Sequence, residues 1–512
     1  MPTVQGMTLA CIRVNVIAIR YSGSLLQQAG AGALMTVPVG GAAVTKRKPV
    51  EPAPGPLEDY ARRFDDLFAN RAQRQGMRRY VEGLLLSDER NKTLTALANT
   101  EPVVEAQRKE AQSLQWFLTE SGWDPEAVNR RRVELMLEEP ETAPVESGAL
   151  VIDETGDRKD GKATAHVGRQ YLGGIGKTEN GVVSVSSLYA DERLYYPLEV
   201  EPYTPAHHFE GGKTDPAFRT KPRIALQLVE RAIEMEIPFR AVVGDILYGE
   251  HREFRRALQS RGMPYVLAVK PSYSWYLATG GGRETVWQVV GEYPWDGEEE
   301  PGEWVTLEHS FRDGHTERWW ALEPTRWPFD SRSDRRLVVA TTDPATLPEL
   351  TTFYLFTNLP APEPERGAAN GDLAPADVAE VTRLYALRSW IEQSYKQVKN
   401  SLGWAHYQVR KDLSIRRHWQ LVCCAFSFCW WACEESTEVG SPPMVVLRDG
   451  ERPSSTTEGP SGGEKEEHNG VASVMAAGSE EGALVASAIR NAPAILAGIY
   501  RSAPAQRITA AA

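Results

Sequence analysis

Two short apolar runs constrain this chain more than any other feature. "GALVIDETG" (148–156) and "FRAVVGDILYG" (239–249) are each too short for a stable helix and have Val and Ile near their centres, as buried strands do. Each runs into an aspartate, Asp153 and Asp245. Between them "HVGRQYLGGIG", "GVVSVSSLYAD" and "LYYPLEVEPY" alternate in character, with turn residues separating them, which predicts strands. "KPRIALQLVERAIEMEI" opens with Pro222 and has amphipathic helical spacing. After Asp245, "HREFRRALQSRG" predicts a helix and "PYVLAVK" a strand. A strand meander followed by helix, strand, helix, strand predicts an α/β fold with both aspartates at strand ends. Strand ends along one edge of a sheet are where α/β proteins place their sites.

The rest of the chain divides around that core. Its 512 residues and 42% hydrophobic content suffice for more than one domain. Residues 1–56 read as a weakly ordered extension and a proline-rich linker, with Met35 an alternative start. The stretch "CIRVNVIAIRYSGSLL" is broken by Arg13 and Arg20, so it is too short and too charged to span a bilayer, and no other segment qualifies. Residues 57–145 repeat apolar residues at helical spacing with many arginines. They predict a helical domain whose arginines either meet DNA or sit on ordinary solvated faces. The texture turns β-rich at about 271–350, where "WVTLEHSFRDGHTERWWALE" predicts a hairpin turning at "DG". Residues 434–512 are rich in Glu, Ser, Gly and Pro and read as a mostly disordered tail with a weak helix in the last 30 residues. Four of the five cysteines crowd into "LVCCAFSFCWWAC", a buried helix or strand in which Cys acts as a small hydrophobe. No C-x-x-C pair offers a zinc site, and so few cysteines fit a reducing cytoplasmic setting. The net charge of −12 argues against a nucleic-acid partner overall. Residues 381–420 nevertheless hold eight bases against two acids, so a DNA groove is not excluded.

"YALRSWIEQSYKQVKN" (385–400) lacks Gly and Pro and predicts one helix, with Asp377 and Glu380 at its capped start and Gly403 as its stop. Tyr385, Arg388, Glu392 and Lys399 fall within about 60° of arc on it, beside the apolar face of Leu384, Leu387, Ile391, Val398 and Leu402. Together with Asp153 and Asp245, Glu392 makes a set of three acids suited to hard divalent cations. Two such ions can activate a water or hydroxyl and stabilise the leaving oxygen of a phosphodiester. Arg388 and Lys399 have the chemistry to hold phosphates, and Tyr385 to donate or stack. Each residue also has a plainer role open to it. A strand-terminal aspartate often caps a turn, Glu392 can pair with Arg388 at i−4, and the stripe can be a surface ion-pair ladder.

The spacing of Tyr385, Arg388, Glu392 and Lys399 resembles the Tyr-Arg-Glu-Lys signature of bacterial insertion-sequence transposases of the DDE superfamily. The blocks "VIDETGDRKDGKATAHVGRQYLGGIGKTENG" and "FRAVVGDILYGE" are similar to those around that family's first two catalytic aspartates, and the resemblance runs from about 57 to 433. It implies a ribonuclease H-like catalytic core at 146–433, with the β-rich insertion between the second Asp and the Glu. It further implies Asp153, Asp245 and Glu392 as catalytic, metal-binding residues for Mg²⁺, or Mn²⁺ in its place, with two ions. Tyr385, Arg388 and Lys399 would contact the DNA end. In the family, water cuts at the element's end and the freed 3′-hydroxyl attacks DNA. Partners would be the terminal inverted repeats, target DNA and a second copy of the chain, in the bacterial cytoplasm at the nucleoid, with no membrane and no nucleotide cofactor. A catalytically silent DNA-binding relative and a plain DNA endonuclease of the same fold are the alternatives.

Two further features bear on that reading. "YLGGIGKT" (171–178) mimics a phosphate-binding loop, but its first position is Tyr171 and a turn and strand follow it, where the loop's chemistry needs a helix N-terminus. Lys159, Lys162, Arg169 and Lys177 around it are expected to line the DNA path or to be solvated loop charges. The insertion and its flanks hold Trp275, Trp287, Trp295, Trp304, Trp319, Trp320 and Trp327. In related enzymes an insertion Trp stacks on a flipped base; no motif says which one would do so here.

Overall fold

Capping chemistry sets the first helices of the chain. In a computed structural model of the protein, α1 (Pro56–Arg62), α2 (Arg71–Leu85), α3 (Leu94–Leu97), α4 (Lys109–Thr119) and α5 (Pro125–Glu138) occupy the region read as helical. Asn70 accepts the Gln73 amide at 3.0 Å while the Gln73 side chain returns to the Asn70 amide, a capping box that starts α2. Asp124 caps α5, with Pro125 at its first position. The described residues are 49–53, 55–86, 91–100, 105–276, 283–310, 316–324, 335–362, 373–432 and 507–510.

The strand meander follows as β1 (Ala149–Arg158), β2 (Gly168–Leu172), β3 (Lys177–Ala190) and β4 (Tyr195–Tyr203). Next come α6 (Lys221–Glu234), β5 (Ala241–Gly244), α7 (Ile246–Gly249), α8 (Arg252–Ser260) and β6 (Tyr265–Val269). β3 lies antiparallel between β4 and β1, while β1, β5 and β6 are parallel neighbours. Every residue of β5 and β6 is buried, as expected for parallel strands covered on both faces. The β-rich segment gives β7 (Ser274–Tyr276) and β8 (Arg283–Thr285), a two-stranded ribbon, and then α9 (Val286–Val290). β9 (Val305–Ser310), β10 (Thr316–Leu322), β11 (Arg336–Thr341) and β12 (Thr352–Thr357) do not build a separate sheet. β12 pairs with β6, and β11, β10 and β9 follow outward, so these strands extend the central sheet. β9 and β10 form the predicted hairpin; its "DG" turn lies outside the described residues. β13 (Arg507–Ala510) pairs with β9, so these four residues are strand where the sequence suggested weak helix; the rest of the tail lies outside the described residues.

The expected single helix through Tyr385 is broken into α10 (Val378–Ala386) and α11 (Ser389–Asn400). The amides of Arg388, Trp390 and Ile391 bond to carbonyls three residues back, at 2.9, 3.2 and 3.1 Å, a tighter 3₁₀-type turn between the two helices. The predicted ends hold: Asp377 accepts the Glu380 amide at 2.7 Å, and Gly403 adopts φ 68°. "LVCCAFSFCWW" (421–431) is helix, the end of α12 (Asp412–Trp431), and almost every side chain from Ser414 on is buried. The leading helices wrap around α12. Tyr60 donates to the Cys424 carbonyl at 3.2 Å, Tyr80 meets His418 Nδ1 at 2.8 Å, and Arg132 donates to Ser427 Oγ at 2.9 Å. Cys423, Cys424 and Cys429 are buried packing thiols, and burial pushes the Cys423 thiol up to about 11; Cys433 lies outside the described residues. The leading helices and the sheet thus belong to one compact unit. Among the described residues no helix is long and apolar enough to cross a membrane.

Candidate functional site

Parallel pairing of β1 and β5 brings the two aspartates together. Ile152 is opposite Gly244, so Asp153 comes beside Asp245, the residue that follows β5. Asp153 itself lies in the middle of β1, which runs on to Arg158, and not at a strand end as expected. Glu392 comes from the first turn of α11. Arg388 joins the acids: its Nη2 donates to Asp153 Oδ2 at 3.1 Å and its Nη1 to Glu392 Oε1 at 2.9 Å. Asp153 is buried, and burial pushes its carboxyl up to about 7, with Asp245 and Glu154 adding and Arg388 opposing. Asp245 is raised as well, by burial first and then by Glu154. Burial works against the Arg388 charge, but Asp153, Tyr385 and Glu392 outweigh it and hold the guanidinium more firmly protonated. Tyr385 packs against Phe353 with ring centroids 5.0 Å apart, and burial pushes its phenol up to about 12.

α11 is docked by its own side chains. Trp390 stacks on Tyr195 at 4.2 Å, Tyr195 donates to Gln397 at 2.8 Å, and the Tyr395 hydroxyl meets Ser186 Oγ at 2.6 Å. Ser186 is the β3 partner of Asp153, so this contact ties α11 to the rung that carries the aspartate. Lys399 sits 2.8 Å from Asp157 and donates to the Gly156 carbonyl at 3.0 Å, which fixes the far end of α11 to β1.

Sequence reasoning missed Glu154, Tyr248 and Lys221. Tyr248 and Lys221 both donate to Glu154 at 3.0 Å. Tyr248 lies in α7, the short helix that Asp245 caps by accepting the Leu247 amide at 2.9 Å. Glu154 therefore pins the Asp245 turn to the strand carrying Asp153. A Cβ on Gly249 would lie 1.6 Å from the Ala268 carbonyl oxygen, so only glycine lets α7 rest on β6. The available signal was an acid beside Asp153 and the Tyr-Gly pair soon after Asp245. Both plainer roles are also present, since Asp245 is a helix cap and Glu392 pairs with Arg388.

In these contacts the four carboxylates of Asp153, Glu154, Asp245 and Glu392 share two cations, Arg388 and Lys221. That surplus of negative charge suits a hard divalent cation. Among the described residues, however, no three His, Cys, Asp or Glu side chains converge to hold one. Arg388 lies between Asp153 and Glu392, and the Glu392 side chain is half exposed.

The outer bases divide. Lys159, expected along the DNA path, is drawn inward. It donates to the Ala405 and Tyr407 carbonyls at 2.8 and 3.2 Å and sits over the Tyr407 ring, and burial lowers its amine to about 8. Lys162, Arg169 and Lys177 are exposed. "YLGGIGKT" is the turn of the β2–β3 hairpin, with Leu172 opposite Lys177 and Gly176 at φ 65°, so no helix follows it. Of the tryptophans, Trp304 and Trp320 are buried, Trp295 packs on Trp320 at 4.3 Å, and Trp287 is exposed. Trp319 stacks on Phe353 at 5.4 Å and so joins an aromatic run leading to Tyr385. The side chains of Trp275 and Trp327 lie outside the described residues.

Comparison with known proteins adds an independent line. A profile of the DDE superfamily endonucleases matches residues 63–329, a span that takes in Asp153, Glu154 and Asp245 and ends before Glu392. A "Probable transposase for insertion sequence element IS701" of Microchaete diplosiphon is 30% identical over 363 residues, covering 71% of this chain and 84% of its own length. With Asp153 in the middle of β1 beside Asp245 just after β5, the chain belongs to the DDE superfamily endonucleases, among the insertion-sequence transposases.

Proposed function

We propose that the protein cuts the ends of its own insertion sequence and joins them to target DNA. The observation that carries this reading is the guanidinium of Arg388, which gathers Asp153 and Glu392 from opposite ends of the catalytic region beside Asp245. The strand order β4-β3-β1-β5-β6 supports a ribonuclease H-like core, entered from the β-rich segment between Asp245 and Glu392. In this reading Asp153, Asp245 and Glu392 hold Mg²⁺ or Mn²⁺ ions. When bound, two ions supply charge stabilisation at the attacking and leaving oxygens of the phosphodiester. Arg388 then turns from the carboxylates to a DNA phosphate, which its planar fork fits in bidentate fashion. Tyr385 and Lys399 flank the same DNA end. Lys162, Arg169 and Lys177 track the backbone farther out, and Lys159 shapes that path from within. Partners are the terminal inverted repeats, target DNA and a second copy of the chain, because two ends must be brought together, and the setting is the bacterial cytoplasm.

The Arg388 clasp also fits a silent DNA-binding relative, so the test must separate the two. Purified protein is incubated with Mg²⁺ or Mn²⁺ and DNA carrying the gene's own flanks. Cuts at a fixed terminus that need both the metal and Asp153, and strand-transfer products beside them, are expected. Glu392→Gln should abolish cleavage and leave end binding within about twofold. Binding without cuts would favour the silent relative, and cuts without strand transfer a plain endonuclease.

A further inference from the structure

The β2–β3 hairpin carries two apolar side chains that the fold does not use. Tyr171 is 62% exposed and Ile175 47% exposed. Both stand at the hairpin's end, among Gly173, Gly174 and Gly176, where an added Cβ would meet nothing within 4 Å. The tip is therefore slender. Leu172 faces the other way and is buried against Gly156 and Gly181. Arg169 and Tyr171 are two apart on β2, so they share the outward face.

The collar around the tip is basic. Residues 158–180 hold five bases and two acids in a chain of net charge −12. Lys162, Arg169 and Lys177 are exposed there, and the two acids sit with Arg158 and Lys177, at 3.1 Å for Asp160 and 3.0 Å for Glu179. An apolar tip in a basic collar has the chemistry of a wedge into a duplex. Cations hold the phosphates, and apolar side chains enter between base steps. The glycines leave the two apolar side chains unshielded at the tip. The reach also fits. Tyr171 is opposite Thr178 and Asp153 opposite Ser186, eight residues apart along β3. That is about 27 Å, less than one turn of B-DNA at about 34 Å.

We propose that Tyr171 and Ile175 enter the DNA end held at the Asp153 site and unstack a base step within one helical turn of the cut. This rests on the transposase reading.

The test uses the full chain and a duplex of the gene's flanking sequence with 2-aminopurine at successive positions. Its fluorescence should rise severalfold at one step within about ten base pairs of the cut. Tyr171→Ala with Ile175→Ala should abolish that rise and weaken binding roughly tenfold, with the circular dichroism spectrum unchanged because both side chains are exposed. Arg169→Gln with Lys177→Gln should flatten the salt dependence of binding by about two phosphate contacts. A folded Tyr171→Ala, Ile175→Ala protein that brightens the probe as the parent does would overturn the proposal. So would a variant that loses only self-association, which would make the tip a protein contact. A parent that binds no duplex overturns the function as well, whereas a parent that cuts without unstacking overturns the wedge alone.

Discussion

Arg388 neutralises two acids with one charge, and its removal has two consequences. Arg388→Ala leaves Asp153 buried beside Asp245 with no cation in contact. Stability without added divalent ions should fall by about 1–3 kcal/mol, the cost of losing hydrogen bonds to a charged group, because near pH 7 the Asp153 carboxyl can take a proton and avoid an orphaned charge. Added Mn²⁺ should then raise the melting temperature of the variant more than that of the parent, because the competing guanidinium is gone. Equal metal-induced shifts in scanning calorimetry would refute this competition. Tyr248→Phe tests the pin on the Asp245 turn. It should cost about 1–2 kcal/mol and lower the cleavage rate while leaving DNA affinity unchanged; an unaltered single-turnover rate would remove Tyr248 from the site. Asp245 and the Tyr-Arg-Glu-Lys spacing were legible in the sequence because the first directly follows a short apolar strand and the second repeats at helical intervals. Asp153 was found by the apolar run before it, although its strand continues to Arg158. Glu154 was not, because alternation turns it away from Asp153 and its partner Tyr248 lies 94 residues on, a pairing that no local pattern encodes.

The break between α10 and α11 was equally hidden. Nothing in "YALRSWIEQ" opposes a helix, yet α11 is held by Trp390 on Tyr195 and by Tyr395 on Ser186, and the hydrogen bonding tightens where it meets α10. Tertiary contacts override propensity here. The caps at Asp377 and Gly403 were legible because they are local chemistry. Within α12, His418 links two elements, with Nδ1 facing the Tyr80 hydroxyl and Nε2 facing the Gly403 and Trp404 carbonyls. Burial lowers its pKa from 6.5 to about 3. Between those values the unfolded chain binds the extra proton and the folded chain does not, so stability is full above pH 6.5 and is lost as pH falls towards 3. The loss from this group is on the order of 4 kcal/mol. In His418→Gln the melting temperature should decline less steeply below pH 6.5 than in the parent, and an unchanged slope would exclude His418 as a cause. Gly249→Ala should collapse the yield of folded protein, since the methyl would meet the Ala268 carbonyl and displace the turn carrying Asp245.

In the molecule as a whole, the order of strands was readable because each strand carries its own periodicity. The growth of the β-rich segment along the same sheet was not. It follows from the edge of β6, whose ladder would otherwise be bare, and β12 satisfies it. Nor did the helical spacing of residues 57–145 show that their common core is α12, which arrives near residue 431. Residues 57–145 produced alone should therefore give no cooperative melting transition, and a sharp one would show an independent domain. That arrangement also sets a clock. A ribosome making 5–20 residues per second takes roughly 15–60 s to pass from Glu138 to Trp431. Through that interval the apolar faces of α2 and α5 lack the helix they close on and stay open to aggregation. A chain broken off in mid-synthesis would be prey for proteases rather than a competitor at the DNA ends.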